Sequence, residues 1–411
     1  MGNAGGMKGI WRRISWLSLV FLITVKKYYV NFKFSVAAAV MIGMLIPIGS
    51  CRISKGEGPQ REMDQRTDVL EMIYAIADKK GMRVISDLNM SGGRWHERIS
   101  ADSMEEQTKR YISAYHARYG QHPSFWGWYL NNEISPIKTT ETEKSGFWRK
   151  VWKAVVDECH KVRPGSVVTI SPFFLLDKDG LRGFEYLAPS EYEEWWGTTL
   201  SETGIDILML QDSGEHLGFF SLAERAPFFE AFARACKKAA TKLWINVETG
   251  QADARDWPEA VTMEKNKQKK WEFTHIDWLA QKLELASEYG EGIVNWGYYP
   301  FMNPAGKAMG PYINDVDGQQ IDYNNQKEAY EAYKAYYKTI PREIVQGRKA
   351  RAAMRGTLWY IPVNYSGWSK ERLEKAIEQQ IDEQQAVGFD LLWLCNTPAN
   401  MEWALTPLGN P

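Results

Sequence analysis

From residue 62 onward, short continuously apolar segments alternate with amphipathic ones, and this alternation constrains the fold more than any other feature of the 411-residue chain. Segment 67–80 places Val69, Leu70, Ile73, Tyr74 and Ile76 at three-to-four spacing, which predicts a helix stopped by Gly81. A strand at 83–88 follows it. Further helix and strand pairs are expected at 103–119 with 125–132, 147–161 with 167–172, 222–240 with 242–247, and 274–289 with 292–298. One more strand, at 205–211, follows a long aromatic insertion. Uninterrupted apolar strands between helices argue for a parallel sheet covered on both faces.

Those segments make six strands, whereas a closed (β/α)8 TIM barrel needs about eight. After a helix at 325–338, the far end supplies strands at 356–362 and 389–395 with a helix at 369–386 between them. Such a unit normally opens a barrel. The expected fold is therefore a TIM barrel circularly permuted in sequence, with strands three to eight in 62–340 and strands one and two in 341–411. The strand at Leu358 should then lie beside that at Val294, and Leu392 beside Val84. Open parallel edges are unfavourable, which argues for closure within the chain. The alternative is that 341–411 begins a second, truncated barrel.

Residues 1–51 read as a targeting segment and 52–61 as a linker. Two apolar stretches, 14–25 and 34–49, are each shorter than the ~20 residues of a spanning helix and flank a basic segment. Lys26 and Lys27, an apolar run to Ile48, and then Gly49-Ser50-Cys51 have the anatomy of a bacterial lipoprotein signal that would leave Cys51 lipidated. The expected location is extracytoplasmic, in the periplasm or at the cell surface, with a lipid anchor in the membrane. An ordinary membrane anchor, or a signal peptide that happens to hold a cysteine, is the alternative.

Lys plus Arg number 50 against 51 Asp plus Glu, so nothing in the charge favours nucleic acid as a partner. The four cysteines form no CxxC pair, and the six histidines show no ligand-like spacing, so no catalytic metal is expected. The glycine-rich segments lack the strand-to-helix phosphate motif, and no nucleotide cofactor is implied. The 18 Trp, 20 Tyr and 16 Phe supply flat faces suited to sugar rings, although most should fill the core.

In a barrel of this kind functional groups gather where strands end. Those ends carry Asp87, Asn132, Glu133, Ser171, Gln211, Asp212, Asn246, Glu248, Trp296 and Tyr298. With strands one and two at the C-terminus, Glu133 ends strand four and Glu248 ends strand seven. Here the chain resembles the large clan of barrel glycoside hydrolases whose acid/base glutamate, preceded by asparagine, ends strand four and whose nucleophilic glutamate ends strand seven. More closely, Phe125-Trp126-Gly127-Trp128-Tyr129 leading to Glu133, the segment from Asp206 to Asp212, and Trp244-Ile245-Asn246-Val247-Glu248 resemble a bacterial family of glycosyl hydrolase-like proteins catalogued under an unknown-function label. The resemblance covers roughly 62–340.

The resemblance implies hydrolysis of an oligo- or polysaccharide with retention, with Glu133 as acid/base and Glu248 as nucleophile. Retention would put their carboxyl groups ~5–5.5 Å apart and inversion ~6.5–9.5 Å. Asn132 would hold a sugar hydroxyl and Asn246 would orient Glu248. Asp87, Gln211 and Asp212 are either hydroxyl ligands or strand-end caps, and Asp212 is a reserve second carboxylate. Trp95, Trp195, Trp196, Trp296 and Tyr298 are either sugar platforms or core. A barrel that binds carbohydrate without cleaving it is the competing reading.

Overall fold

A computed structural model of the chain describes residues 68–88, 90, 99–305, 320–321, 326–360 and 369–395. Each strand of the barrel is a short apolar run whose outer face packs into a core shared with the helices. The first helix, α1 (Val69–Lys80), starts where the Asp68 carboxylate accepts from the Glu71 N–H and ends at Gly81, whose φ of 66° is left-handed. Such a position favours glycine because it has no Cβ. Strand β1 (Arg83–Asp87), α2 (Ala101–Tyr119), β2 (Phe125–Leu130), α3 (Thr142–Val162) and β3 (Val167–Ile170) continue the alternation.

The aromatic insertion contains a helix that the periodicity did not disclose, α4 (Pro189–Thr203). Pro189 opens it, where no N–H is required, and Glu191 reaches back 2.7 Å to the Ala188 N–H. Next come β4 (Ile207–Asp212), α5 (Leu222–Ala239) and β5 (Lys242–Glu248). A small excursion follows, made of β6 (Gly250–Ala252), α6 (Trp257–Lys265) and β7 (Lys270–Phe273). The chain then returns through α7 (Ile276–Tyr289) to β8 (Gly292–Trp296). Beyond it lie β9 (Gln320–Ile321), α8 (Gln326–Thr339), β10 (Gly356–Tyr360), α9 (Lys370–Ala386) and β11 (Leu391–Cys395).

Eight strands close into a parallel ring in the order β1, β11, β10, β8, β5, β4, β3, β2, so the fold is a (β/α)8 TIM barrel. Strands β10 and β11 complete it between β8 and β1. At one seam Val84 stands opposite Leu392, the pairing anticipated above, and at the other Thr357 stands opposite Asn295. Around the ring the strands follow chain order, which is equally the order of a barrel whose first strand is β1. A separate three-stranded sheet, β6-β7-β9, carries part of the excursion.

Period-two alternation divides every barrel strand into two apolar faces. The outer face packs on the helices, as with Val84, Leu208, Leu210, Ile245, Ile293 and Leu392. The inner face fills the barrel with Ile85, Tyr129, Met209, Trp244, Val294 and Trp393. Most of the aromatic enrichment is core. Trp195 and Trp196, two of the platform candidates, are buried on α4: the Trp195 indole donates to Ser145 Oγ at 2.8 Å, and Trp196 stacks on Trp152. Their glutamate-rich surroundings belong to the opposite side of an amphipathic helix, so neither ring is free to meet a sugar.

Candidate active site

The inner-face phase that buries Met209 and Trp244 brings the next residues, Gln211 on β4 and Asn246 and Glu248 on β5, to the C-terminal mouth of the barrel. Glu133 comes to the same region from the loop after β2, where the Gln211 side-chain amide donates to its Oε1 at 3.1 Å. The same amide donates to the Ser171 main-chain carbonyl at 2.7 Å, which fixes its direction. Asn246 donates to Ser171 Oγ at 3.2 Å, and Ser171 donates to the Met209 carbonyl at 2.8 Å. Asn246 is therefore turned towards Ser171, where the sequence had suggested that it orients Glu248.

Glu248 is held instead by the backbone. The Gly214 N–H donates to its Oε2 at 2.7 Å, while Lys282 of α7 donates to its main-chain carbonyl at 2.9 Å. Gly214 can make that contact because it has no side chain: a Cβ there would lie 1.7 Å from the Gly250 carbonyl oxygen. Gly214→Ala should force the loop away from β6 and destabilise the fold by about 1–3 kcal/mol, as overpacking does. Urea unfolding of the variant measures this; a stability unchanged from the parent would show that the approach is not tight.

A third carboxylate, Glu215, completes the group. Its ion-pair partners are Arg182, from the loop after β3, and Lys269, which precedes β7. Arg182 also pairs with Glu264 at 3.0 Å, and its N–H donates to Asp177 at 2.8 Å. Two inserted segments are thus tied together beside the mouth. Burial works to raise the Glu215 pKa, but Lys269 and Arg182 prevail and hold it below the ordinary range.

The other two carboxyl groups move the opposite way. Glu133 is exposed, yet desolvation by the protein around its carboxyl raises its pKa; Glu215 adds to the rise, while Gln211 and Arg182 oppose it. Glu248 is 7% exposed, and burial pushes its pKa up to about 8, with Glu215 and Glu133 adding to the rise and Lys282 and Gly214 opposing it. Glu133 and Glu248 therefore lie close enough to sense each other's charge. Near neutrality such a pair retains a proton, so that one group can donate it while the other carries negative charge.

The remaining candidates separate into those at the mouth and those behind it. Trp296 ends β8 half-buried, with Trp271 of β7 5.5 Å away, and forms one aromatic wall. Asp87 ends β1 fully buried, hydrogen-bonded to the Cys395 thiol of β11. Asn132 is corrected: its carbonyl accepts from Trp152 Nε1 at 3.0 Å and its amide donates to the Met90 carbonyl at 3.4 Å, so it faces the outer wall. Asp212 is corrected likewise. It follows Gln211 by one residue and so takes the outer face, where its carboxylate meets Arg225 at 2.7 Å with both side chains sealed from solvent. Neither the hydroxyl-binding role nor the reserve-carboxylate role fits that position. Tyr298 is core: Gly297, with φ of 105°, turns the chain out of strand phase and delivers the ring between Tyr330 and Phe389. Trp95 and Cys51 lie outside the described residues.

Sequence reading missed Glu215, Arg182, Lys269 and Lys282. Only Glu215 carried a local signal, its place beyond a strand end in Gln211-Asp212-Ser213-Gly214-Glu215. The three cations come from distant segments.

A family model described as "Domain of unknown function (DUF4434)" matches residues 36–308, well over half of the chain. The chain belongs to that family. Among curated proteins none matches it. Of solved structures, a candidate alpha-L-fucosidase from Bacteroides thetaiotaomicron VPI-5482 is similar at 21% identity, with 60% of this chain and 66% of that one covered and a TM-score of 0.44. The chain thus spans slightly less than two thirds of that protein. An endo-beta-1,4-mannanase from Thermotoga petrophila is similar at 14% identity, covering 58% and 54%, with a TM-score of 0.35. A candidate phosphonomutase from Burkholderia cenocepacia J2315 is similar at 10% identity, covering 82% and 95%, with a TM-score of 0.36. Barrels host unrelated chemistries, so the function of this family member has to be argued from its own side chains.

Proposed function

We propose that the protein is a glycoside hydrolase that cleaves an oligo- or polysaccharide with retention, Glu133 serving as acid/base and Glu248 as nucleophile. The observation that carries this reading is the meeting of two carboxyl groups of raised pKa at the barrel mouth, each held by an N–H donor. A glycosidic oxygen leaves poorly unless it is protonated, and the oxocarbenium-like centre needs a carboxylate on its opposite face. Glu133, open to solvent, can exchange its proton with water between the two half-reactions. Glu248, enclosed and fixed by Gly214, suits attack at one position on the sugar ring. Trp296 offers a ring to the substrate. Counting β10 and β11 as strands one and two puts the glutamates after strands four and seven, in keeping with a permuted member of the clan the sequence resembles. An extracytoplasmic location with lipidated Cys51 completes the proposal and suits a polysaccharide substrate.

The test is a screen of 4-nitrophenyl glycosides and of polysaccharides for reducing-end release, with Glu133→Gln and Glu248→Gln as controls. Release by the parent and its loss in both variants is expected; equal release by the variants would sink the assignment. Activity should follow a bell in pH. The productive form carries one proton on the pair, so activity falls on the alkaline side near pH 8 as that proton leaves. It falls again on the acid side, above the usual carboxylate range, as a second proton is taken up. A profile flat from about pH 4 to about pH 9 would contradict the coupling.

A second reading, carbohydrate binding without cleavage, is favoured by the enclosure of Glu248 and its raised pKa, which keep it protonated near neutrality in the free protein. Isothermal titration with oligosaccharides that the parent binds without cleaving, and that Glu133→Gln binds equally well, would support it.

A further inference from the structure

We propose that Lys282, which lies behind the barrel wall and touches no substrate, is a positioning residue that sets both the place and the ionisation of Glu248. The inference rests on the reading of Glu248 as the nucleophile. Lys282 is fully buried on α7, and its ammonium donates to the main-chain carbonyls of Glu248 at 2.9 Å and Asp212 at 3.3 Å. The Asp212 carboxylate lies 3.6 Å from the same nitrogen. One cation thereby gathers the ends of β4 and β5, the strands that deliver Gln211 and Glu248. All its neighbouring partners are oxygens, an arrangement that suits an ammonium with three N–H donors.

Charge makes this more than a brace. Towards Glu248 face the carboxylates of Glu215 and Glu133, which disfavour a further anion, and the Gly214 N–H, which favours it. Lys282 is the cation that opposes the two glutamates. Burial lowers the Lys282 pKa and Arg225 adds to the fall, while Asp212 on its far side and Glu248 favour the ammonium. Asp212 is shared between Lys282 and Arg225, so removing Lys282 leaves that carboxylate its 2.7 Å partner. The loss therefore falls mainly on Glu248.

The test uses full-length protein labelled with ¹³C at glutamate side-chain carboxyls and followed by NMR through a pH titration, the Glu248 signal being assigned by its disappearance in Glu248→Gln. In Lys282→Met the Glu248 midpoint is expected to rise by about 1 pH unit or more, as loss of a nearby opposite charge does, while Lys282→Arg keeps it near the parent value. The alkaline limb of kcat/KM, which the Glu248 value sets, should rise with it on any substrate found in the screen. An unchanged midpoint in folded Lys282→Met would overturn the proposal. Should that variant fail to fold, the parent decides: the Lys282 ¹⁵Nζ signal must shift through the Glu248 titration and lose that shift in Glu248→Gln, and a signal that ignores Glu248 overturns the proposal equally. These titrations need no turnover. Failure of the hydrolase reading would show separately, as full activity in Glu248→Gln.

Discussion

Glu133→Gln is expected to slow cleavage of substrates with poor leaving groups by about 10²–10⁴-fold, the usual contribution of a general acid. Aryl glycosides whose leaving group needs no protonation should lose much less in the bond-breaking step. The difference between the two substrate types is the diagnostic quantity. A glutamine keeps the shape of the side chain and an amide oxygen that can accept from Gln211 in place of the Glu133 oxygen that Gln211 now meets at 3.1 Å. Any local adjustment would affect both substrate classes alike, whereas loss of the proton affects mainly the poor leaving group. Initial rates on a matched pair of such substrates check this, and an equal loss on both would remove Glu133 from the acid role.

Asp212→Ala should cost the fold about 3–5 kcal/mol, the range for breaking a buried ion pair by removing one partner. Arg225 and Lys282 both lie within reach of this one carboxylate, and the Arg225–Asp212 pair is sealed from solvent. Without it two buried cations repel each other with no anion between them. Arg225 also donates to the Phe220 carbonyl at 2.9 Å and lies over the Trp278 ring, contacts that hold it in place and leave it unable to escape to water cheaply. Urea unfolding followed by tryptophan fluorescence measures the loss. A change below about 1 kcal/mol, typical of a surface pair, would mean that water reaches the cluster.

The fate of Gln211 and Asp212 shows how far the sequence could be read. Their strand was legible because four successive residues, Ile207 to Leu210, are apolar, and its polar end was legible as a place for function. Which of two adjacent residues enters the barrel was not, because a barrel strand is apolar on both faces and alternation gives no sign of inside and outside. One residue of phase separates a side chain that touches Glu133 from one that anchors the outer wall. Asn132 and Glu133 part in the same way. Asn246 and Glu248 share a face, so the sequence showed that they enter the barrel together or not at all. Closure through β10 and β11 was legible from the strand count and the cost of open edges.

Helix α4 escaped notice because the polar face of the insertion hid the amphipathic pattern of Trp195 and Trp196. The setting of the carboxyl groups was illegible for another reason. Arg182, Lys269 and Lys282 reach the site from a loop, from the approach to a small second sheet and from a helix behind the wall. No spacing in the sequence relates them to Glu215 or Glu248; only the closed ring brings them together.

The most direct test of the central claim is to treat the protein with activated 2-deoxy-2-fluoro glycosides matching any sugar it cleaves, and to map the modified peptide by mass spectrometry. A retaining enzyme of this design should carry the fluorosugar on Glu248, and Glu248→Gln should carry none. Attachment to Glu133, Glu215 or any other residue, or hydrolysis that persists undiminished in Glu248→Gln, would contradict it.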